Sequence, residues 1–160
     1  MKFNKTALGV AGFIVLLIVM GYSAKANADS FQIGIGKTVI NSHLKVGEIG
    51  YQHGDWEIQA SLMQDGGTKR GAQAQVETYS LSHITTPGWG YAGVEPYMRL
   101  GVSVNSGSNL VGNTNFRLGI GVDFNSVFRL EYVHHSSAGI HTPNTGIDYV
   151  ALSYVMEAPW

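Results

Sequence analysis

The sequence predicts an all-β protein, an eight-stranded antiparallel transmembrane β-barrel of the outer-membrane type that follows a cleaved N-terminal signal peptide. Three observations carry the prediction. Short segments alternate between apolar and polar residues with the period of a strand whose two faces meet unlike surroundings. The connections between them alternate short and long, as in barrels with tight periplasmic turns and longer outer loops. The chain is also sparsely charged, with 13% Asp, Glu, Lys and Arg, a net charge of −1 and 21 glycines. A soluble domain normally carries about twice that charged fraction.

Residues 1–28 read as the export signal. Lys2 and Lys5 supply a positive start, Ala7 to Met20 is an apolar run of 14 residues, and Ala26-Asn27-Ala28 fits small-x-small cleavage. The run is short of the roughly 20 apolar residues of a spanning helix. Without any cysteine the chain offers no thiol for a lipid anchor and no disulfide. Residues 29–160 are then one barrel domain, integral to the outer membrane and reached through the periplasm.

Strands are predicted at 30–37, 44–53, 56–65, 73–84, 91–104, 114–124, 127–135 and 146–156. The clearest is 114–124, where Phe116, Leu118, Ile120, Val122 and Phe124 share a face opposite Arg117, Gly119, Gly121 and Asp123. In 91–104, Val94, Pro96, Met98, Leu100 and Val102 oppose Glu95, Tyr97, Arg99 and Gly101, and in 56–65, Trp56, Ile58, Ala60 and Leu62 oppose Glu57, Gln59 and Ser61. The last strand sets Val150, Leu152, Tyr154 and Met156 against Ala151, Ser153 and Glu157. The fourth alternates poorly, which suggests a bulge. Tight turns fall at 54–55, 85–88 and 125–126; residues 38–43, 66–72, 105–113 and 136–145 are longer, polar loops.

Eight strands enclose a lumen that side chains fill, so Glu95, Arg99, Arg117, Asp123, Arg129 and Glu131 are expected to pair inside, with no open pore. Trp160, in phase with the apolar series, resembles the aromatic ending used in outer-membrane assembly. Trp56, Trp89, Tyr91 and Tyr132 suit interfacial girdles. The competing fold is a secreted lipocalin-like barrel, with its apolar face turned inward around a ligand. The glycine-rich, charge-poor polar face is a poor solvated exterior. Near-neutral charge also argues against nucleic acid as a partner.

Function is concentrated in residues 134–148. Strand parity through Phe128, Leu130 and Tyr132 runs on to His134 and Ser136, and that of Val150, Leu152 and Tyr154 runs back to Asp148. All three therefore project from the lipid-facing wall near the outer rim, where polar groups are costly and usually functional. A serine hydroxyl needs an adjacent base to become a nucleophile. His134 can be that base and Asp148 the group orienting it. The Gly139 backbone N–H and the Asn144 side chain are candidate donors to an oxyanion. Taken alone, a His-x-Ser pair leaves open a non-catalytic structural or adhesive barrel with merely interfacial polar residues. His134, His135, His141 and Asp148 could also be read as metal ligands, but parity sends His135 inward, away from His134. Gly34-Ile35-Gly36-Lys37-Thr38 lacks the spacing of a phosphate loop and any helix behind it.

The run Tyr132-Val133-His134-His135-Ser136-Ser137-Ala138-Gly139, with Pro143-Asn144-x-Gly146-Ile147-Asp148, resembles the signature of the lipid A 3-O-deacylase family. The resemblance implies an eight-stranded outer-membrane esterase that cleaves an ester-linked acyl chain of lipid A in lipopolysaccharide, without metal or cofactor. It implies His134 as base, Ser136 as nucleophile and Asp148 as orienter, with Asn144 and Gly139 near the oxyanion. It implies lipopolysaccharide and outer-membrane lipids as partners, and Lys69 and Arg70 fall in an outer loop that could meet lipopolysaccharide phosphates. The chain departs from the family pattern at Ser137, where Asn is common, and at Asp148, where Glu is frequent.

Overall fold

The computed structural model describes residues 29–142 and 144–158. The expected export signal (1–28), Pro143 and the terminal Trp160 lie outside the described residues. The chain forms β1 (Ser30–Thr38), β2 (Lys45–His53), β3 (Trp56–Met63), β4 (Gly66–Thr68), β5 (Gly71–Gln73), β6 (Val76–Thr85), β7 (Val94–Asn105), β8 (Thr114–Phe124), β9 (Phe128–Ser136) and β10 (Ile147–Glu157). Eight of these close an antiparallel barrel in the order β1-β10-β9-β8-β7-β6-β3-β2, and β4 and β5 make a separate two-stranded hairpin.

The barrel is inside-out relative to a soluble protein. Ile35, Leu100, Phe116, Ile120 and Leu152 are exposed on the wall, while Gln59, Ser82, Arg99, Arg117, Glu57 and Glu131 are buried in the lumen. That is the reverse of a soluble ligand-binding barrel and the arrangement of a barrel bathed in lipid. Arg99 binds Glu57 at 2.8 Å and also pairs with Glu131, and Arg129 binds Asp123 at 2.9 Å. Arg117 lies 3.6 Å from both Glu57 and Glu131. Glu95, expected in this network, is exposed at the short-turn end of the ladder, opposite Asp123.

Near the long-loop end the lumen turns apolar. Val46, Met63, Val76, Val133, Ile147 and Tyr149 pack around Leu110 and Val111, which the β7–β8 loop folds inward. This plug closes the lumen and gives the loop region a solid base.

Three details differ from the sequence expectation. The predicted loop 66–72 folds into the β4–β5 hairpin, whose turn is held by Thr68: its Oγ1 donates to Gly71 O and accepts the Arg70 N–H. The fourth barrel strand, β6, carries no bulge, since it pairs residue for residue with β3 and with β7. Its alternation is blurred because each end breaks the pattern: Val76 and Ile84 are buried at its two ends, while Glu77 and His83 share the parity of the outward Leu81. The β6–β7 connection is longer than foreseen, for β7 starts at Val94 after a Tyr91–Val94 turn with Ala92 and Gly93 at positive φ. The 125–126 turn is tight as expected. Asn125 and Ser126 both adopt positive φ, the mirror-image turn that matches strand twist.

Candidate active site

The site grows from the register of β8, β9 and β10. Asp148 stands directly opposite His134 across the β9–β10 ladder, and on the other side Leu118 and Phe116 face His134 and Ser136. Directly opposed side chains start about 4.5–5.5 Å apart at Cβ, so even the short aspartate spans the gap. Its Oδ1 meets His134 Nδ1 at 2.7 Å. The carboxylate is almost covered, at 5% exposure, whereas the imidazole is 37% exposed. With Nδ1–H directed at the carboxylate, Nε2 is left as the acceptor on the open side of the ring.

Two further contacts fix this pair. The Tyr132 hydroxyl, two residues before His134 on the same face, donates to the same Asp148 Oδ1 at 2.5 Å. Gly146 packs against both groups, since a Cβ there would lie 2.9 Å from His134 Cε1 and 3.0 Å from Asp148 Oδ2. With its φ of +79°, this position is reserved for glycine twice over. The Gly146 carbonyl is held by Asn41 Nδ2 at 3.2 Å, and the Thr145 carbonyl by the same nitrogen at 2.5 Å. Thr145 is tied in turn to the plug through Leu110 O.

Ser136 ends β9. Its Oγ donates to Asn144 Oδ1 at 3.1 Å and accepts the Ala138 N–H at 3.2 Å. Asn144 Oδ1 also receives the Ser137 N–H at 2.9 Å and the Ser137 hydroxyl at 3.0 Å. Ser137, wholly buried, thus anchors Asn144 beside the nucleophile candidate. Among the described residues no hydrogen bond joins Ser136 to His134, so the hydroxyl must turn from Asn144 to reach Nε2. Gly139 sits exposed at the tip of the Ser137–Ile140 turn with φ of +80°; the backbone N–H brought onto Ser136 Oγ is that of Ala138.

His134, Ser136, Asp148 and Asn144 are therefore gathered at one rim. His135 is not among them: it points into the lumen, bonded to Ser103 at 2.9 Å and stacked on Tyr149. His141 packs over Gly112. The described residues contain no group of three or more side chains arranged to hold a metal. Sequence reasoning missed Tyr132 and Asn41 as supports. The i, i+2 spacing of Tyr132 and His134 was a usable signal for the first; nothing local to the motif pointed to Asn41.

Comparison with known proteins identifies the family and the fold. The sequence model of the lipid A 3-O-deacylase (PagL) family matches residues 39–157, most of the barrel. The chain belongs to the lipid A 3-O-deacylase family. This deacylase-family barrel is similar in fold to the crystal structure of the outer membrane enzyme PagL, at 21% identity and a TM-score of 0.60, covering 81% of this chain and 99% of that one. It is also similar to the N-terminal β-barrel domain of Pseudomonas aeruginosa OprF, at 16% identity and a TM-score of 0.51, covering 81% and 98%. No curated protein matches the chain. The family's fold and outer-membrane setting hold for this deacylase-family member.

Proposed function

We propose that this protein hydrolyses an ester-linked acyl chain of lipid A from the outer face of the outer membrane, with Ser136 as nucleophile, His134 as base and Asp148 as orienter. The observation that carries the reading is the His134–Asp148 hydrogen bond of 2.7 Å on the lipid-facing wall, one residue removed from Ser136 on the same strand. A paired imidazole and carboxylate at headgroup depth have no evident structural task. They are suited to an amphiphilic ester whose chains stay in the bilayer.

In the proposed reaction Ser136 Oγ rotates to His134 and gives its proton to Nε2 as the oxygen attacks the ester carbonyl. Asp148 holds the ring's tautomer and stabilises the imidazolium. The oxyanion is met by the Ala138 N–H and the Asn144 Nδ2 amide, with Gly139 N–H as a further candidate in the same turn. Collapse releases the sugar hydroxyl, which takes the proton back from His134. Water, activated by the same imidazole, then cleaves the acyl-serine. These residues need no metal for any step. Residues 1–28 act in this reading as the export leader, leaving 29–160 as the barrel.

Mass spectrometry of lipid A from cells making the protein tests the proposal. Loss of one hydroxyacyl group, abolished by Ser136→Ala and by His134→Ala with the barrel still folded by heat-modifiable migration, supports it. An unchanged lipid A profile with folded wild-type barrel would return the chain to a non-catalytic surface role.

A further inference from the structure

On β1 the outward series Phe31, Ile33, Ile35 ends in Lys37, and on β2 the outward series Ile49, Gly47 ends in Lys45. The register places Lys37 directly opposite Lys45, with Ile35 opposite Gly47 one pair below and Gly47 opposite Leu62. Both lysines are exposed, and neither forms a salt bridge among the described residues. Like charges directly opposed on one sheet face are destabilising, and the low dielectric of the adjoining lipid sharpens the repulsion. Long lysine stems can lift their ammonium groups toward the headgroups, but this does not explain why both charges occupy one cross-strand pair.

Beneath the pair lies an apolar cleft of about 590 Å³ in the outer wall, lined by Ile33, Ile35, Gly47, Ile49 and Leu62. Its floor is open at Gly47, where an added Cβ would meet nothing within 4 Å. Gly47 has no positive φ and crowds no neighbour, so it is not required by the fold and leaves a groove where a side chain would fit. At the far edge Glu77, opposite Leu62, is engaged by the Tyr79 hydroxyl at 3.2 Å and stands two strands from Lys45. Lys37 is also near Tyr132, which supports the Asp148 carboxylate, and Lys45 lies one strand further away. Lys37 faces Val150, which faces Tyr132, a separation of two strand spacings, or roughly 10 Å.

We propose that this wall is a headgroup-and-chain subsite: Lys37 and Lys45 together grip a phosphate of the acylated lipid being cleaved, and the Gly47 cleft receives one of its uncleaved acyl chains. A phosphate between the ammonium groups replaces repulsion with two charge-assisted contacts, and the groove directly below accepts a chain of the same molecule. The substrate assignment rests on the hydrolytic reading above; the binding itself does not.

The test uses full-length barrel in lipid nanodiscs and a pair of acylated glucosamine esters, with and without a phosphate. Wild type is expected to show a KM roughly tenfold or more lower for the phosphorylated ester, as loss of charge-assisted contacts would predict. Lys37→Gln with Lys45→Gln erases that preference. Gly47→Leu, or the smaller Gly47→Ala should the first misfold, raises KM for both esters. Binding of the phosphorylated ester to the Ser136→Ala protein, weakened by the lysine changes, is measured separately from turnover. Lysine-dependent binding without hydrolysis by the wild type sinks the esterase and leaves the subsite. Hydrolysis with no phosphate preference, or phosphatidylglycerol competing as well as the phosphorylated ester, overturns the subsite.

Discussion

Tyr132→Phe removes one oxygen and tests whether the support beneath the imidazole matters to the chemistry. Tyr132 and His134 donate to the same oxygen of Asp148, at 2.5 and 2.7 Å. Without the phenol the carboxylate keeps its bond to the imidazole but loses the contact that limits its rotation. A hydrogen bond to a charged acceptor contributes about 1.5–3 kcal/mol. The half-exposed rim favours the lower end, about 1.5 kcal/mol, which corresponds to roughly a tenfold fall in kcat. KM should hold, because Tyr132 acts through Asp148 rather than on substrate. The rate at which a fluorophosphonate labels Ser136 should fall in proportion, since labelling reports nucleophile activation without lipid binding. The decisive comparison repeats Tyr132→Phe in an Asp148→Ala background. If Tyr132 works through the carboxylate, the second change costs almost nothing there, because neighbours that act as a unit are not additive. An undiminished tenfold loss in the Asp148→Ala protein, or a loss confined to KM, would refute the reasoning.

Other changes address the rest of the site and its foundation. Asn144→Ala takes away the acceptor of three donors and a candidate oxyanion amide; kcat should drop by about 10²-fold, read by ester turnover on folded protein. Arg99→Met takes from Glu57 and Glu131 the guanidinium hydrogen-bonded to both and leaves them only the longer contacts to Arg117 and Arg129, and urea unfolding in vesicles should show about 3 kcal/mol of lost stability. Leu110→Ala hollows the plug at a fully buried position and should cost about 2–5 kcal/mol. Because Thr145 hangs on the Leu110 carbonyl, Ser136 labelling should also slow, whereas Arg99→Met should leave labelling near the wild-type rate.

Alternation was enough to establish a barrel, its strand number and the direction of most side chains, because period two is a local property that lipid enforces on every stave except the ends of β6. The same parity put His134, Ser136 and Asp148 on one wall before any partner strand was known. Parity could not supply cross-strand register. Only pairing in three dimensions set Asp148 opposite His134, close enough for the short aspartate side chain to reach the imidazole. Nor could it foresee Asn41, a β1–β2 loop residue more than a hundred positions from the Gly146 carbonyl it holds, or the β7–β8 loop that folds into the lumen under the site. The opposed lysines likewise look unremarkable eight residues apart in the chain and become a pair only in the ladder. Sequence therefore determined which face each residue would occupy, since that follows from backbone geometry and solvent alone. Tertiary structure decided which residues would meet, because register and loop docking depend on closing the whole cylinder at once.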